Sequence, residues 1–342
     1  MPTSRRGPRI NHLLFGDDSL LFCRASIEHR KKLTDILQDY EQASGQCLNR
    51  SKTAIFFSRN TPTEIREKIV EVSGIPASQR YDTYLGLLAL IGKSRIAAFQ
   101  NIKEKVWKRI QDWKLKFLSQ AGKEIFLKAV IQAIPTYSMG VFLLPKALCF
   151  EINSLMQRFW WGHQAKDFGI PWMSWSWMGF PKEKRGMGFH DLHCFNKALL
   201  AKQIWRMWKM EDSVTARIMK AKYFPGCSIL KAQLGNKPSY AWHSILKSKE
   251  LVKEGLIWRI GNGESVTIWG AKWVPIKTTY CVQSPQSPLV DIGVVWDLID
   301  QNTLWNQTIL EENFSPEEVR VIKSIPISST NQPDVQIWRG RA

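Results

Sequence analysis

The chain has 342 residues, 44% of them hydrophobic and 23% charged, and Gly and Pro together make up about a tenth of it; this excludes a disordered, collagen-like or linker-dominated protein. Lys and Arg number 48 against 30 Asp and Glu, a formal charge of +18, and there are 16 Trp. A charge of that size costs self-repulsion and points to a polyanionic partner, nucleic acid before membrane. Asp17 and Asp18 break the first apolar stretch, so no secretory segment is read there. Ala133 to Phe150 is interrupted by Pro135, Pro145 and Lys146 and falls short of the roughly 20 apolar residues that span a bilayer. Six dispersed cysteines without a CxxC pair read as reduced thiols of an intracellular protein, nucleus and cytoplasm not being distinguished.

In chain order, residues 12–22 place two Leu-Leu-Phe triplets around Gly16-Asp17-Asp18-Ser19, which predicts a β-hairpin with Gly16 at a positive φ. Leu33, Ile36, Leu37 and Tyr40 mark a helix from Ile27 to Ala43 that Gly45 can end. Thr53 to Ser58 reads as a buried strand. Thr61-Pro62-Thr63-Glu64 opens a helix with Thr61 as N-cap, and Tyr84 to Ile91 reads as a further strand. Residues 1–92 are therefore mixed α+β.

From Ser94 the spacing of Phe99, Ile102, Val106, Ile110, Trp113 and Phe117 predicts a long helix, followed by helices at 119–134 and 146–161. Residues 93–131 carry ten Lys/Arg against Glu104, Asp112 and Glu124, a local +7. A Trp-rich stretch (Trp160, Trp161, Trp172, Trp175, Trp177) leads into helices at 191–209, 213–222 and 240–253. Residues 256–269 then read as a hairpin turning at Gly261-Asn262-Gly263. Residues 291–342 reverse sign, with eight acids against four bases. The divisions expected are 1–92, 93–160, 161–290 and 291–342.

Two adjacent acids at the tip of an apolar hairpin repel one another, and a divalent cation gives a reason for the pair; a solvated Asp-Asp turn is the bland alternative. The flanking triplets weaken the bland reading, since they are expected to bury both arms and expose only the tip.

His12-Leu13-Leu14-Phe15-Gly16-Asp17-Asp18-Ser19-Leu20-Leu21-Phe22 resembles the catalytic hairpin of reverse transcriptases from plant non-LTR (LINE-type) retrotransposons, with Gly16 where that family's pattern has Ala. The resemblance continues through Ser44-Gly45-Gln46-Cys47-Leu48-Asn49, Tyr84-Leu85-Gly86-Leu87, Leu118-Ser119-Gln120-Ala121-Gly122-Lys123 and Ala133-Ile134-Pro135-Thr136-Tyr137. It extends to Phe195-Asn196-Lys197-Ala198-Leu199-Leu200 and Trp258-Arg259-Ile260-Gly261-Asn262-Gly263, covering almost all of residues 10–275. It implies an α+β fold: a partial palm, an antiparallel hairpin sheet with packed helices, followed by a mostly helical thumb and connection region. By the same resemblance Asp17 and Asp18 are the catalytic, Mg²⁺-binding pair of an RNA-directed DNA polymerase. Lys52 resembles the basic residue that meets the incoming triphosphate, and Tyr84-Leu85-Gly86 resembles the primer-grip turn. Read without the resemblance, Lys52 is an ordinary solvated cation and the Tyr-Leu-Gly turn ordinary packing.

In that family a third carboxylate and the fingers precede the Asp-Asp hairpin, whereas only eleven residues precede His12 here. Any zinc-binding segment or RNase H-like domain is expected beyond residue 342. The chain is therefore expected not to polymerise alone, because positioning supplies much of phosphoryl-transfer catalysis. The alternative is a non-catalytic nucleic-acid-binding remnant of a decayed retroelement.

Lys103, Lys105, Lys108, Arg109, Lys114 and Lys116 fit a thumb that tracks the phosphates of an RNA template–DNA primer duplex, against a plain solvated helix face. Trp107, Trp113, Trp205 and Trp208, at helical spacing, are expected in the core, and the 160–177 tryptophans pack a junction or stack bases. His190-Asp191-Leu192-His193-Cys194 lacks a second ligand pair, so no zinc is expected.

Overall fold

The computed structural model describes residues 7–58, 60–78, 83–88, 91–92, 94–114, 118–162, 170–236, 238–276, 279–286, 292–300, 304–328 and 330–339. The chain divides into two compact units, Met1–Lys249 and Glu250–Ala342.

The first unit opens with strands β1 (His12–Phe15) and β2 (Asp18–Leu21), paired antiparallel with Phe15 opposite Asp18. Helix α1 (Ile27–Ser44) follows, capped by the Ser26 hydroxyl at one end and by Gly45, at φ 71°, at the other. Helix α2 (Thr63–Ser73) packs against α1. It begins one residue later than expected: Pro62 occupies the cap position, so the Thr61 side chain does not cap it. The strand expected at 53–58 does not form either. Ile55 makes a single parallel bridge to Ala77, and among the described residues no second strand extends the pairing. Strands β3 (Thr83–Tyr84) and β4 (Leu87–Leu88) form a short hairpin where one strand was expected; residues 89 and 90 of that expectation lie outside the described residues.

Helix α3 (Arg95–Lys114) then buries Phe99, Ile102, Val106 and Ile110 against α6 (Lys146–Trp161), as the apolar spacing requires. Between them, α4 (Gln120–Phe126) runs into a π-helical turn at Leu127–Ile131, and α5 (Thr136–Met139) is a single turn after Pro135. The Lys123 ammonium donates to the carbonyls of Trp160 and Gly162 (3.3 and 2.7 Å), satisfying orphan acceptors at the end of α6. Burial lowers the Lys123 pKa.

After α7 (Trp175–Met178), α8 (Leu192–Lys209) closes the core, and α9 (Val214–Tyr223) and α10 (Tyr240–Leu246) complete the unit. The fully buried Asn196 on α8 accepts from the Leu144 N–H (2.7 Å) and donates to the Met139 and Phe142 carbonyls (2.8 and 2.9 Å). One side chain thereby satisfies the main chain of the α5–α6 connection. The helix expected at 240–253 is broken at 247–248 into α10 and α11 (Lys249–Gly255).

The second unit corrects the expected hairpin at 256–269. Strand β5 (Leu256–Arg259) pairs instead with β6 (Val335–Trp338), Leu256 opposite Trp338. Gly261-Asn262-Gly263 is not a two-residue turn: the N–H groups of Gly261 and Gly263 point at the Asp334 carboxylate. The core is built from Val266, Ile268, Trp273 and Val274 with Val295, Leu298 and residues of α12 (Gln307–Asn313) and α13 (Pro316–Lys323). Much of the acidic stretch is structural. Asp297 accepts from the N–H groups of Gly293 and Val294, and Asp300 accepts from that of Leu304. Asp334 and Glu318 likewise hold main-chain donors.

Candidate functional site

The β1–β2 hairpin has a two-residue loop, Gly16-Asp17. Only the first of the two has a positive φ (54°), the pattern of a type II′ turn in which glycine is favoured. Asp17 therefore sits in the loop and Asp18 opens β2, and both are exposed. Among the described residues no group of three His, Cys, Asp or Glu stands close enough to hold a metal ion. The donor set here is two carboxylates.

The hairpin arms depart from expectation. Leu14 is 65% and Phe15 67% exposed, and Leu13, Leu21 and Phe22 are exposed as well. The described residues before Leu87 contribute nothing to the main core of the unit; Ile69 and Arg30 are the only described ones among them that are buried. Ile36 and Tyr40 on α1 are also open to solvent. The hairpin and α1 thus each leave large apolar side chains uncovered by the described residues.

Lys52 lies in the turn after α1, where the Asn49 side chain accepts from its N–H (3.2 Å). Its side chain is exposed, and no hydrogen bond or ion pair joins it to Asp17 or Asp18. Tyr84-Leu85-Gly86 is a tight turn between β3 and β4, with Leu85 at φ 49° and Gly86 at φ 77°. Both loop residues are left-handed, the type I′ pattern, and a leucine there is strained. Composition gave no hint of that strain; the Leu-Gly pair between two short apolar runs was the available signal.

The cationic cluster on α3 divides. Lys103 pairs with Glu151 on α6 at 2.6 Å and is partly buried, so it links two helices. Lys105, Lys108 and Arg109 are exposed, and among the described residues no acid lies within ion-pair distance of them. Lys114 is the last residue of α3, and Lys116 lies outside the described residues. Trp107, expected in the core, is 52% exposed. It falls out of phase with the Phe99, Ile102, Val106, Ile110 stripe, which was the sign that it faces outward. Trp113 does pack inward, stacked on Phe126 at 5.0 Å between ring centroids. Trp205 and Trp208 are half-buried and stand edge-to-face at 5.4 Å.

No helix among the described residues is long and apolar enough to cross a membrane. No protein-family profile matches the chain. It is similar to a protein of Arabidopsis thaliana provisionally named a ribonuclease H protein, 30% identical over 193 residues, which is 56% of this chain but 31% of that relative. It is also similar to an uncharacterized mitochondrial protein of the same plant, 38% identical over 147 residues, 43% of this chain and 96% of the relative. Having matched nearly the full length of that mitochondrial protein at such identity, the chain belongs to its family.

Proposed function

We propose that the chain is a portion of a plant non-LTR retrotransposon reverse transcriptase: the back of the palm, the thumb and the connection region. The observation that carries this reading is the hairpin itself, with Asp17 in a two-residue loop, Asp18 beside it and apolar arms that no other part of the described chain covers. In a complete polymerase those arms would meet the rest of the palm. The similarity to a longer protein named for ribonuclease H fits a polyprotein in which such a domain accompanies the polymerase.

Two adjacent carboxylates suit Mg²⁺, which takes oxygen donors and usually keeps only one or two protein carboxylates, the remaining positions going to water and substrate phosphates. Asp17 and Asp18 would hold it. When bound, the ion neutralises charge that develops on the transferred phosphoryl group. The protein's own contribution is to present both carboxylates together at the hairpin turn, while Lys105, Lys108 and Arg109 on α3 neutralise phosphates of a template–primer duplex. With no third carboxylate beside the pair among the described residues, the isolated chain binds nucleic acid without extending a primer.

Two measurements test this. In a primer-extension assay with Mg²⁺ the chain is expected to give no product, and synthesis that Asp17→Asn abolishes would overturn its incompleteness. Binding to an RNA–DNA duplex is expected to weaken steeply with salt, and to lose part of that slope in the Lys105→Glu/Lys108→Glu variant. A salt-independent affinity would remove the nucleic-acid reading.

A further inference from the structure

The tryptophans around α7 separate into two groups. Trp175 is buried and stacks on Phe189 (4.9 Å between centroids, planes 12° apart), with the Lys128 ammonium over the Phe189 ring at 5.6 Å. Trp172 and Trp177 face solvent, 78% and 55% exposed, and Phe180 meets Trp177 edge-to-face at 5.4 Å. Nothing in the described chain covers the outer aromatic group. The segment carrying Trp177 and Phe180 is held in place all the same: Trp175 anchors α7 from beneath, and Met178 accepts from the N–H groups of both Met187 and Phe189 (2.9 and 3.2 Å).

The loop that follows carries cations beside those rings. The Phe180 carbonyl accepts from Gly188 N–H at 2.8 Å, and a Cβ on Gly186 would stand 1.9 Å from the same oxygen, so the loop closes tightly and only glycine fits at 186. Lys182 is committed to Glu124 at 3.0 Å. Lys184 and Arg185 are exposed, and no acid is paired with them among the described residues. Arg185 has φ 61°, a left-handed conformation that glycine would adopt without strain. That conformation ends the 3-10 turn at Lys182–Lys184, where the Arg185 N–H bonds the Lys182 carbonyl at 3.0 Å, and it leaves the arginine side chain exposed beside Lys184.

We propose that Trp177 and Phe180, with Lys184 and Arg185 in the loop that closes onto Phe180, form a stacking platform for single-stranded nucleic acid, separate in role from the duplex-facing cations of α3. Exposed rings beside unpaired cations match the two requirements of single-strand binding, a π-face for each base and positive charge for the backbone. The short, four-residue α7 does not offer the broad apolar helix face that seats a protein in a membrane surface. The inference rests on the nucleic-acid reading above and adds a location and a substrate class to it.

The test uses the full chain, fluorescently labelled oligo-dT and oligo-U, a labelled RNA–DNA duplex, and vesicles containing anionic lipid. Trp177→Ala is expected to weaken single-strand binding about tenfold while leaving duplex affinity within about twofold. Arg185→Gly, which relieves the backbone and removes the charge, is expected to lower single-strand affinity and its salt dependence with a melting temperature no lower than that of the wild type. Single-strand affinity unchanged in both variants overturns the platform, as does vesicle binding lost in place of oligonucleotide binding. Failure of the wild-type chain to bind either nucleic acid removes the underlying reading instead, and equal losses on duplex and single strand show one shared surface and overturn the separation.

Discussion

The Asp334 carboxylate accepts a hydrogen bond from the main-chain N–H of Gly261 at 2.7 Å, across 73 residues of sequence. The same group accepts from the N–H groups of Gly263 and Ser265, both at 2.9 Å. An anion thus fills a small nest of amides, and the strand pairing of β5 with β6 begins directly beside it. The two glycines are required on separate grounds. A Cβ at 261 would stand 2.2 Å from the Gln332 carbonyl oxygen, and Gly263 has φ 82° with Trp296 backbone close against it.

Asp334→Asn replaces one acceptor oxygen by a donor facing N–H groups. It should lower the stability of the second unit by about 1–3 kcal/mol, the usual loss when buried donors go unmet. Urea denaturation followed by tryptophan fluorescence reads the change; a midpoint equal to wild type would show that water replaces the carboxylate at no cost.

Glu318 predicts a pH dependence. Burial acts to raise its carboxyl pKa, but donors from Ser284, Gln283 and Ser315 outweigh burial and hold it below the usual carboxylate range. A group depressed on folding contributes stability that is complete above its unfolded pKa and is lost as the pH falls through the folded value. The second unit should therefore lose stability below about pH 4.5, where the free carboxyl titrates. Glu318→Gln should be less stable at neutral pH and show a flatter acid limb in thermal melts taken between neutral and acid pH. Parallel acid limbs for the two proteins would remove Glu318 as the cause.

Leu85 offers a test in the opposite direction. Asparagine tolerates the left-handed region that leucine occupies there at a cost, so Leu85→Asn should stabilise the β3–β4 hairpin by about 1 kcal/mol. A melting temperature that falls instead would mean that the half-buried leucine contributes more by packing than it loses by strain.

Much of the helical framework was legible because its signals are local. The Phe99, Ile102, Val106, Ile110 stripe and the Gly45 stop are each contained within one element, and α1, α3, α6 and α8 stand close to where periodicity put them. The readings that failed depended on distant partners. Nothing near Gly261-Asn262-Gly263 indicates that its amides are reserved for Asp334, so a glycine-rich loop read as a hairpin turn. The hairpin arms were read as buried because they are apolar, yet burial needs a second surface, and the described chain does not provide one. At the candidate site the hairpin that presents Asp17 and Asp18 was visible from Gly16 between two apolar triplets. The split of the α3 cations was not, since Glu151, which engages Lys103, lies on another helix.

The pairing of β5 with β6 also bears on how the protein is made. Residues 256–259 emerge from the ribosome well before 335–338, and neither their strand partner nor the Asp334 anchor exists until then. Contacts so far apart in sequence carry a high loop-closure cost and close slowly. The second unit therefore finishes folding only after its last strand has been synthesised, and a ribosome stalled before residue 334 would hold a nascent chain whose β5 edge is still unpaired.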